Sequence, residues 1–134
     1  MKVQRGDARA LPWPDGHFDL VVSASTLEHI PDFWVAVDEM KRVLAPGGTL
    51  LVSTPGYTTH RGERPVHRAA KLLRLPDVLV RGTITMRVHD AADYYRFSED
   101  AYREVLLAGL DDIRVWQIMV PARIFGCGMK PARQ

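Results

Sequence analysis

At 134 residues, with 46% hydrophobic residues, 25% charged residues and a net charge of +2, the chain has the make-up of one modest soluble globular domain. No apolar run approaches the ~20 residues of a membrane-spanning helix, and the charge surplus is too small to point to nucleic acid. The lone Cys127 excludes an internal disulfide framework, and the first residues lack the blocks of a secretory signal; both fit a cytoplasmic location.

In chain order, Met1 to Gln4 reads as the tail of a strand and Arg5 to Ala10 as the loop leaving it. Pro12-Trp13-Pro14-Asp15-Gly16 is turn chemistry, since proline fixes φ and glycine accepts positive φ. Phe18 to Ser23 is apolar enough for a strand covered on both faces, as in a parallel sheet. Asp32 to Leu44 predicts an amphipathic helix with Phe33, Val37, Met40 and Leu44 on one face. Asp32 is placed to cap it, Asp38 and Arg42 to pair at i,i+4, and Pro46-Gly47-Gly48 to stop it. Thr49 to Ser53 is a second buried strand ended by Pro55-Gly56. Strand, helix and strand with short links make a right-handed βαβ unit whose ligand side lies beyond the strand C-termini. That places Ser23 to Ile30 and Ser53 to Tyr57 on the ligand side.

Beyond it, Val66 to Leu75 predicts a short helix inside a basic stretch. Residues 57–89 hold seven Arg or Lys against two acids, Glu63 and Asp77. An anionic substrate would suit this stretch; a solvated helix face is the favoured reading. Ser98 caps a further helix with Glu99 and Asp100 in its first turn, Tyr102, Val105 and Leu106 inside, and Gly109 as its stop. Ile113 to Val120 and Ile124 to Met129 predict a final antiparallel hairpin. Cys127 reads as a buried small hydrophobe. His17, His29, His60, His67 and His89 show no metal-ligand spacing, so no metal is expected, and no Ser-His-Asp elbow is visible.

The stretch GDARALPWPDGHFDLVVSASTLEHIPDFWVAVDEMKRVLAPGGTLLVSTPG, residues 6–56, resembles the later half of the S-adenosylmethionine-binding core of class I methyltransferases, nearest their type 11 branch. A weaker likeness runs through HDAADYYRFSEDAYREVLLAGLDDIRV, residues 89–115. The resemblance implies an incomplete Rossmann-like α/β sheet, from the third strand onward, closed by an antiparallel hairpin. Family sheets run third, second, first, fourth, fifth, seventh, sixth strand. The glycine-rich loop and the ribose-binding acid of the first two strands have no counterpart here, because Pro46-Gly47-Gly48 ends a helix instead of opening one. The chain then divides into a cofactor-side core (1–56), a substrate-side region (57–97) and a C-terminal helix with hairpin (98–134).

By the same resemblance Asp7 accepts from the adenine amino group and the amide of Ala8 meets a ring nitrogen. From residue type alone, Asp7 reads as a turn-capping acid. The carbonyls of Ser23 and Ala24 would flank the methionine end of the cofactor. His29 has two readings: general base near the transferred methyl, or a ring that orders its loop. Tyr57, Tyr94 and Tyr95 either line an acceptor pocket or pack. The expected function is S-adenosylmethionine-dependent methyl transfer to a small molecule within a longer or two-chain domain, with weak or no cofactor binding by this chain alone. Without a first strand, Phe18 to Ser23 becomes an open edge suited to a partner chain or to self-association. The alternative is a non-catalytic subunit that completes a partner's sheet. A basic module for nucleic acid or anionic lipid is the least favoured reading.

Overall fold

The computed structural model describes residues 5–56, 73, 92–119 and 123–132. The expected strand at Met1 to Gln4, the helix at Val66 to Leu75 and most of the basic stretch lie outside these residues, as does Tyr57.

Among the described residues four strands form one sheet in the order β1-β2-β4-β3: β1 (Phe18–Ala24), β2 (Leu44–Pro55), β3 (Asp111–Met119) and β4 (Arg123–Met129). β1 and β2 are parallel, in register from Leu20 opposite Thr49 to Ala24 opposite Ser53. β4 returns antiparallel between β2 and β3, as the hairpin expectation requires. This is the fourth, fifth, seventh, sixth order that the resemblance implies.

The parallel pair is joined by a 3-10 turn at Leu27–His29 and by α1 (Phe33–Val43). α1 turns Ala36, Val37, Met40 and Val43 onto the sheet. Full burial of such an aliphatic side chain contributes roughly 1.5–3 kcal/mol. The helix ends before the Pro-Gly-Gly signal is reached. Its last carbonyls are met by Lys130, whose Nζ donates to Lys41 O (2.7 Å) and Leu44 O (2.7 Å). The expected Asp38–Arg42 pair is replaced: Arg42 binds Glu39 (2.6 Å) and reaches back to Asp15 (2.8 Å).

After the described break, α2 (Glu99–Ala101) opens with Ser98 Oγ accepting from Ala101 N at 3.1 Å, the predicted cap. It continues as a π-helical stretch, Tyr102–Leu106, closed by Leu107 N donating to Tyr102 O (2.9 Å). The wider turn rotates the inner face, so Tyr102, Leu106 and Leu107 are buried while Val105, expected inside, is exposed. Gly109 ends the segment at φ +79°, as predicted.

The core lies on the helix-bearing face of the sheet, among Leu27, Leu50, Val52, Tyr102, Leu106 and Ile124. The opposite face is different. Leu20 and Val22 are each 57% exposed, so β1 is not covered on both faces as the sequence suggested. Trp116, 39% exposed, stacks on Phe125 on that same face. Cys127 also lies there and is half-buried, not the fully buried hydrophobe expected. Among the described residues β1 has one strand neighbour, β2.

Candidate functional site

The carboxyl ends of β1 and β2 open onto a cluster of polar groups. Directly after β1, Ser25 holds φ +49°, a left-handed conformation uncommon for a non-glycine residue and concentrated at functional sites. Two contacts hold it there: its amide donates to Ser53 O (2.8 Å), and its Oγ accepts from Arg123 Nη1 (2.5 Å). Thr26 Oγ1 donates to Ala24 O at 3.1 Å, leaving that carbonyl a second lone pair. Ser23 points to the helix side and is buried, with no hydrogen-bond partner for its Oγ.

The 3-10 turn then sends Glu28 inward, 1% exposed, and His29 outward. Glu28 Oε2 has no hydrogen-bond partner. Burial pushes its carboxyl above the usual range; its own amide, His29 and Arg123 pull the other way without offsetting that cost. His29 Nδ1 lies 2.8 Å from Ala92 O, so in the neutral ring Nδ1 carries the proton. The segment 92–97 is clamped across this turn: Tyr94 N and Tyr95 N donate to Glu28 O at 2.8 and 3.3 Å, and Tyr95 OH donates to Pro31 O. Asp93, buried, is bridged by both terminal nitrogens of Arg96. Phe33, Tyr95 and Phe97 pack edge to face beneath, so Tyr95 serves packing here, while Tyr94 is exposed.

Asp7 lies at the same end of the sheet, because Arg9 spans from it to Asp32 at the entrance of α1. Arg9 Nη2 lies 2.8 Å from Asp7 Oδ2, and Nη1 lies 3.2 Å from Asp32 Oδ1. The guanidinium and the Arg9 amide hold the Asp7 carboxyl at about 2, well below the ordinary carboxylate range. The arginine also explains why Asp32 makes no side-chain cap on α1: its carboxylate faces Arg9 instead.

Of the residues singled out in the sequence, Ser23, Ala24 and His29 come together at the ends of the parallel strands, and Asp7 with Ala8 borders them. Glu28 was placed beside His29 at the mouth of the site without a role of its own; Ser25 and Arg123 were not singled out. Glu28 carried a signal, as an acid inside an otherwise apolar turn. Arg123 carried none, since it reaches Ser25 from 98 positions away. Among the described residues no group of His, Cys, Asp and Glu is arranged to hold a metal. None of the described helices is long and apolar enough to cross a membrane.

Comparison with known proteins matches residues 1–52 to the family described as "Methyltransferase domain". The chain is 35% identical over 120 residues to the rice protein named "Probable tocopherol O-methyltransferase, chloroplastic", covering 83% of this chain and 28% of that one. It is 36% identical over 90 residues to the ubiquinone/menaquinone biosynthesis C-methyltransferase UbiE of Shewanella sp. (strain ANA-3), covering 67% of this chain and 35% of that one. This chain belongs to the class I methyltransferase family.

The methyltransferase chain spans about a third of the length of the curated relatives it matches. Its fold is that of a Thermotoga maritima structure titled "SAM-dependent methyltransferase, possible histamine N-methyltransferase", at a TM-score of 0.65 and 20% identity over 96% of this chain and 64% of that one. A Haloferax volcanii methyltransferase solved in complex with the Trm112 activator matches at a TM-score of 0.59 and 22% identity, over 96% of this chain and 60% of that one. The cyclase SpnF shares the fold at a TM-score of 0.63 and 16% identity, over 97% of this chain and 56% of that one. This methyltransferase fold therefore hosts more than one chemistry, and the activity has to be argued from the site.

An exposed, ionised Asp7 is an acceptor-only group suited to an exocyclic amine, though Arg9 now takes both of its oxygens.

Proposed function

We propose that this chain takes part in S-adenosylmethionine-dependent methyl transfer to a small-molecule acceptor, in the cytoplasm, as part of a longer or two-chain domain. The observation that carries the reading is the gathering of Asp7, Ser23, Ala24, Ser25, Glu28 and His29 at the carboxyl ends of a parallel pair, where open α/β sheets bind their ligands. The names of the plant and bacterial relatives, an O-methyltransferase and a C-methyltransferase, support a small-molecule acceptor.

In this reading Asp7 accepts from the adenine amino group and Ala8 offers its amide to the ring, while the carbonyls of Ser23 and Ala24 flank the methionine end. When bound, the cofactor supplies an electrophilic methyl group on a sulfonium. His29, with Nδ1 tied to Ala92 O, presents Nε2 as the nitrogen able to take a proton from an acceptor hydroxyl or amine. The exposed Leu20 and Val22, and an edge of β1 with no strand neighbour among the described residues, support completion of the sheet by further polypeptide.

Calorimetric titration tests this. The chain alone is expected to bind S-adenosylmethionine weakly or not at all, and to bind it once a complementing polypeptide with a glycine-rich loop is added. Tight binding by the chain alone would overturn the two-part reading. The same open edge also suits a non-catalytic subunit that completes a partner's sheet; complementation without cofactor binding would select that reading.

A further inference from the structure

We propose that Arg123, held at one end by Ser25 and Ser53, anchors a carboxylate carried by the acceptor. The claim deepens the methyl-transfer reading by naming the acceptor class, and it rests on that reading only for the identity of the bound molecule as acceptor.

Arg123 opens β4 opposite Pro55, so antiparallel pairing with β2 carries it to the carboxyl ends of the parallel pair. There its Nη1 donates to Ser25 Oγ at 2.5 Å and to Ser53 Oγ at 3.4 Å. Both acceptors are neutral hydroxyls. Among the described residues Nε and Nη2 make no hydrogen bond, and the guanidinium makes no ion pair. Arg9, Arg42, Arg96 and Arg103 each sit against a carboxylate instead. The buried Glu28 feels the Arg123 charge, yet its Oε2 has no hydrogen-bond partner, so no contact from it neutralises the guanidinium.

A guanidinium presents its N–H groups in a rigid fork. With Nη1 turned to the two serines, the Nε–Nη2 edge keeps two N–H groups side by side, the arrangement from which a carboxylate accepts two parallel bonds. A single fork with a single charge matches a carboxylate in both shape and charge. The mount is built for the purpose of holding it still. Ser25 keeps φ +49° with its amide on Ser53 O at 2.8 Å, and Ser53 is buried. The two gripping hydroxyls thus come from residues already tied through their backbones, and strain of this kind collects at ligand clamps. The same loop leads on to His29, so the anchor and the candidate base share one rim of the sheet.

The test is an NMR titration of the whole chain with sodium acetate at constant ionic strength, reading the Arg123 Nε–H and the Ser25 amide. Both signals are expected to shift and saturate with a Kd on the order of 1–10 mM. Arg123→Gln is expected to weaken the Ser25 response at least ~10-fold, as loss of a charge-assisted pair implies. A merely structural Arg123 gives no acetate response. No saturating shift in the wild type with acetate carried to ~0.1 M overturns the proposal, as does an equal shift with chloride alone. Those results need no variant, so a Gln protein that fails to fold does not shelter it. L-Methionine, titrated in the same way, separates the sources, because it carries a carboxylate beside an ammonium as the methionine end of the cofactor does. Saturation at the same or higher concentration than acetate supports an acceptor anchor; saturation at lower concentration gives Arg123 to the cofactor and overturns the acceptor assignment. No cofactor is present, so failed binding of S-adenosylmethionine would count against the methyltransferase reading alone.

Discussion

Tyr102 ties three pieces of the fold together, and its removal is a quantitative test. Its ring is fully buried, its OH donates to Ile124 O at 3.1 Å, and Thr54 Oγ1 lies 2.7 Å from the same oxygen. A carbonyl only accepts, so the relay must run from the Thr54 hydroxyl to the Tyr102 oxygen and from the Tyr102 hydrogen to Ile124. Tyr102→Phe strands the buried Thr54 hydroxyl and takes one donor from the Ile124 carbonyl. An unsatisfied buried group costs about 1–3 kcal/mol. Thr54→Val alone removes one bond in similar volume and should cost roughly 0.5–1.5 kcal/mol. In the double variant neither orphan hydroxyl exists, so the loss should fall short of the sum by about 0.5–3 kcal/mol. Urea denaturation of all four proteins closes the cycle, and a slope of roughly 1–3 kcal/mol/M converts these losses into midpoint shifts on the order of 1 M. Additivity within about 0.5 kcal/mol would refute the relay.

Three further outcomes follow from the same packing. Gly126→Ala would set a Cβ 2.5 Å from Tyr102 Cδ1 and 2.9 Å from Leu107 Cδ1; because Tyr102 is pinned by its hydrogen bonds, overpacking should cost about 1–3 kcal/mol in denaturation, and an unchanged midpoint would show that the ring can give way. Burial pushes the Tyr102 phenol up to about 12 while an unfolded tyrosine titrates near ~10. The folded chain then keeps a proton that the unfolded chain loses, so this contribution is complete below pH ~10 and drains away as pH rises toward ~12, by roughly 2–3 kcal/mol. Denaturation midpoints across that window check the sign, and the slope should vanish in Tyr102→Phe. Arg42→Lys replaces a fork that meets Glu39, Asp15, Trp13 O and Leu11 O with a point charge. The Leu11 amide, bound to Glu39 Oε2 at 2.8 Å, should exchange about tenfold faster, as loss of a hydrogen bond to a charged group implies; an unmoved rate would show that Arg42 does not hold that turn.

What the sequence discloses is what neighbours in sequence decide. The Ser98 cap, the Gly109 stop and the apolar stripe of α1 are set within one or two turns, and each stands where its residues predict. The hairpin follows from a short link between two strand-like runs. The departures come from contacts made at long range. Lys130 closes α1 from 86–89 positions away, before the Pro-Gly-Gly signal acts. Arg42 prefers Glu39 over Asp38 because that geometry also lets it grip the 11–15 turn. Val105 is exposed because the helix widens into a π turn, which a 3.6-residue period cannot foresee.

The candidate site shows the same division in sharper form. Sequence reasoning assigned Asp7 to the cofactor through the family resemblance and Asp32 to the helix cap from its local setting. Arg9 cancels that independence by binding both carboxylates at once. Because all three side chains are substantially exposed, such bridges are worth little in stability, and the arginine can exchange partners at small cost. If adenine takes Asp7, Arg9 retains Asp32 as its counter-ion and is not left uncompensated. The cost of freeing Asp7 is thereby kept low, and the loop carrying Asp7 stays tethered to the helix that follows the candidate base. A pattern read one residue at a time misses this, because it resides in the sharing of one cation between two acids 25 positions apart.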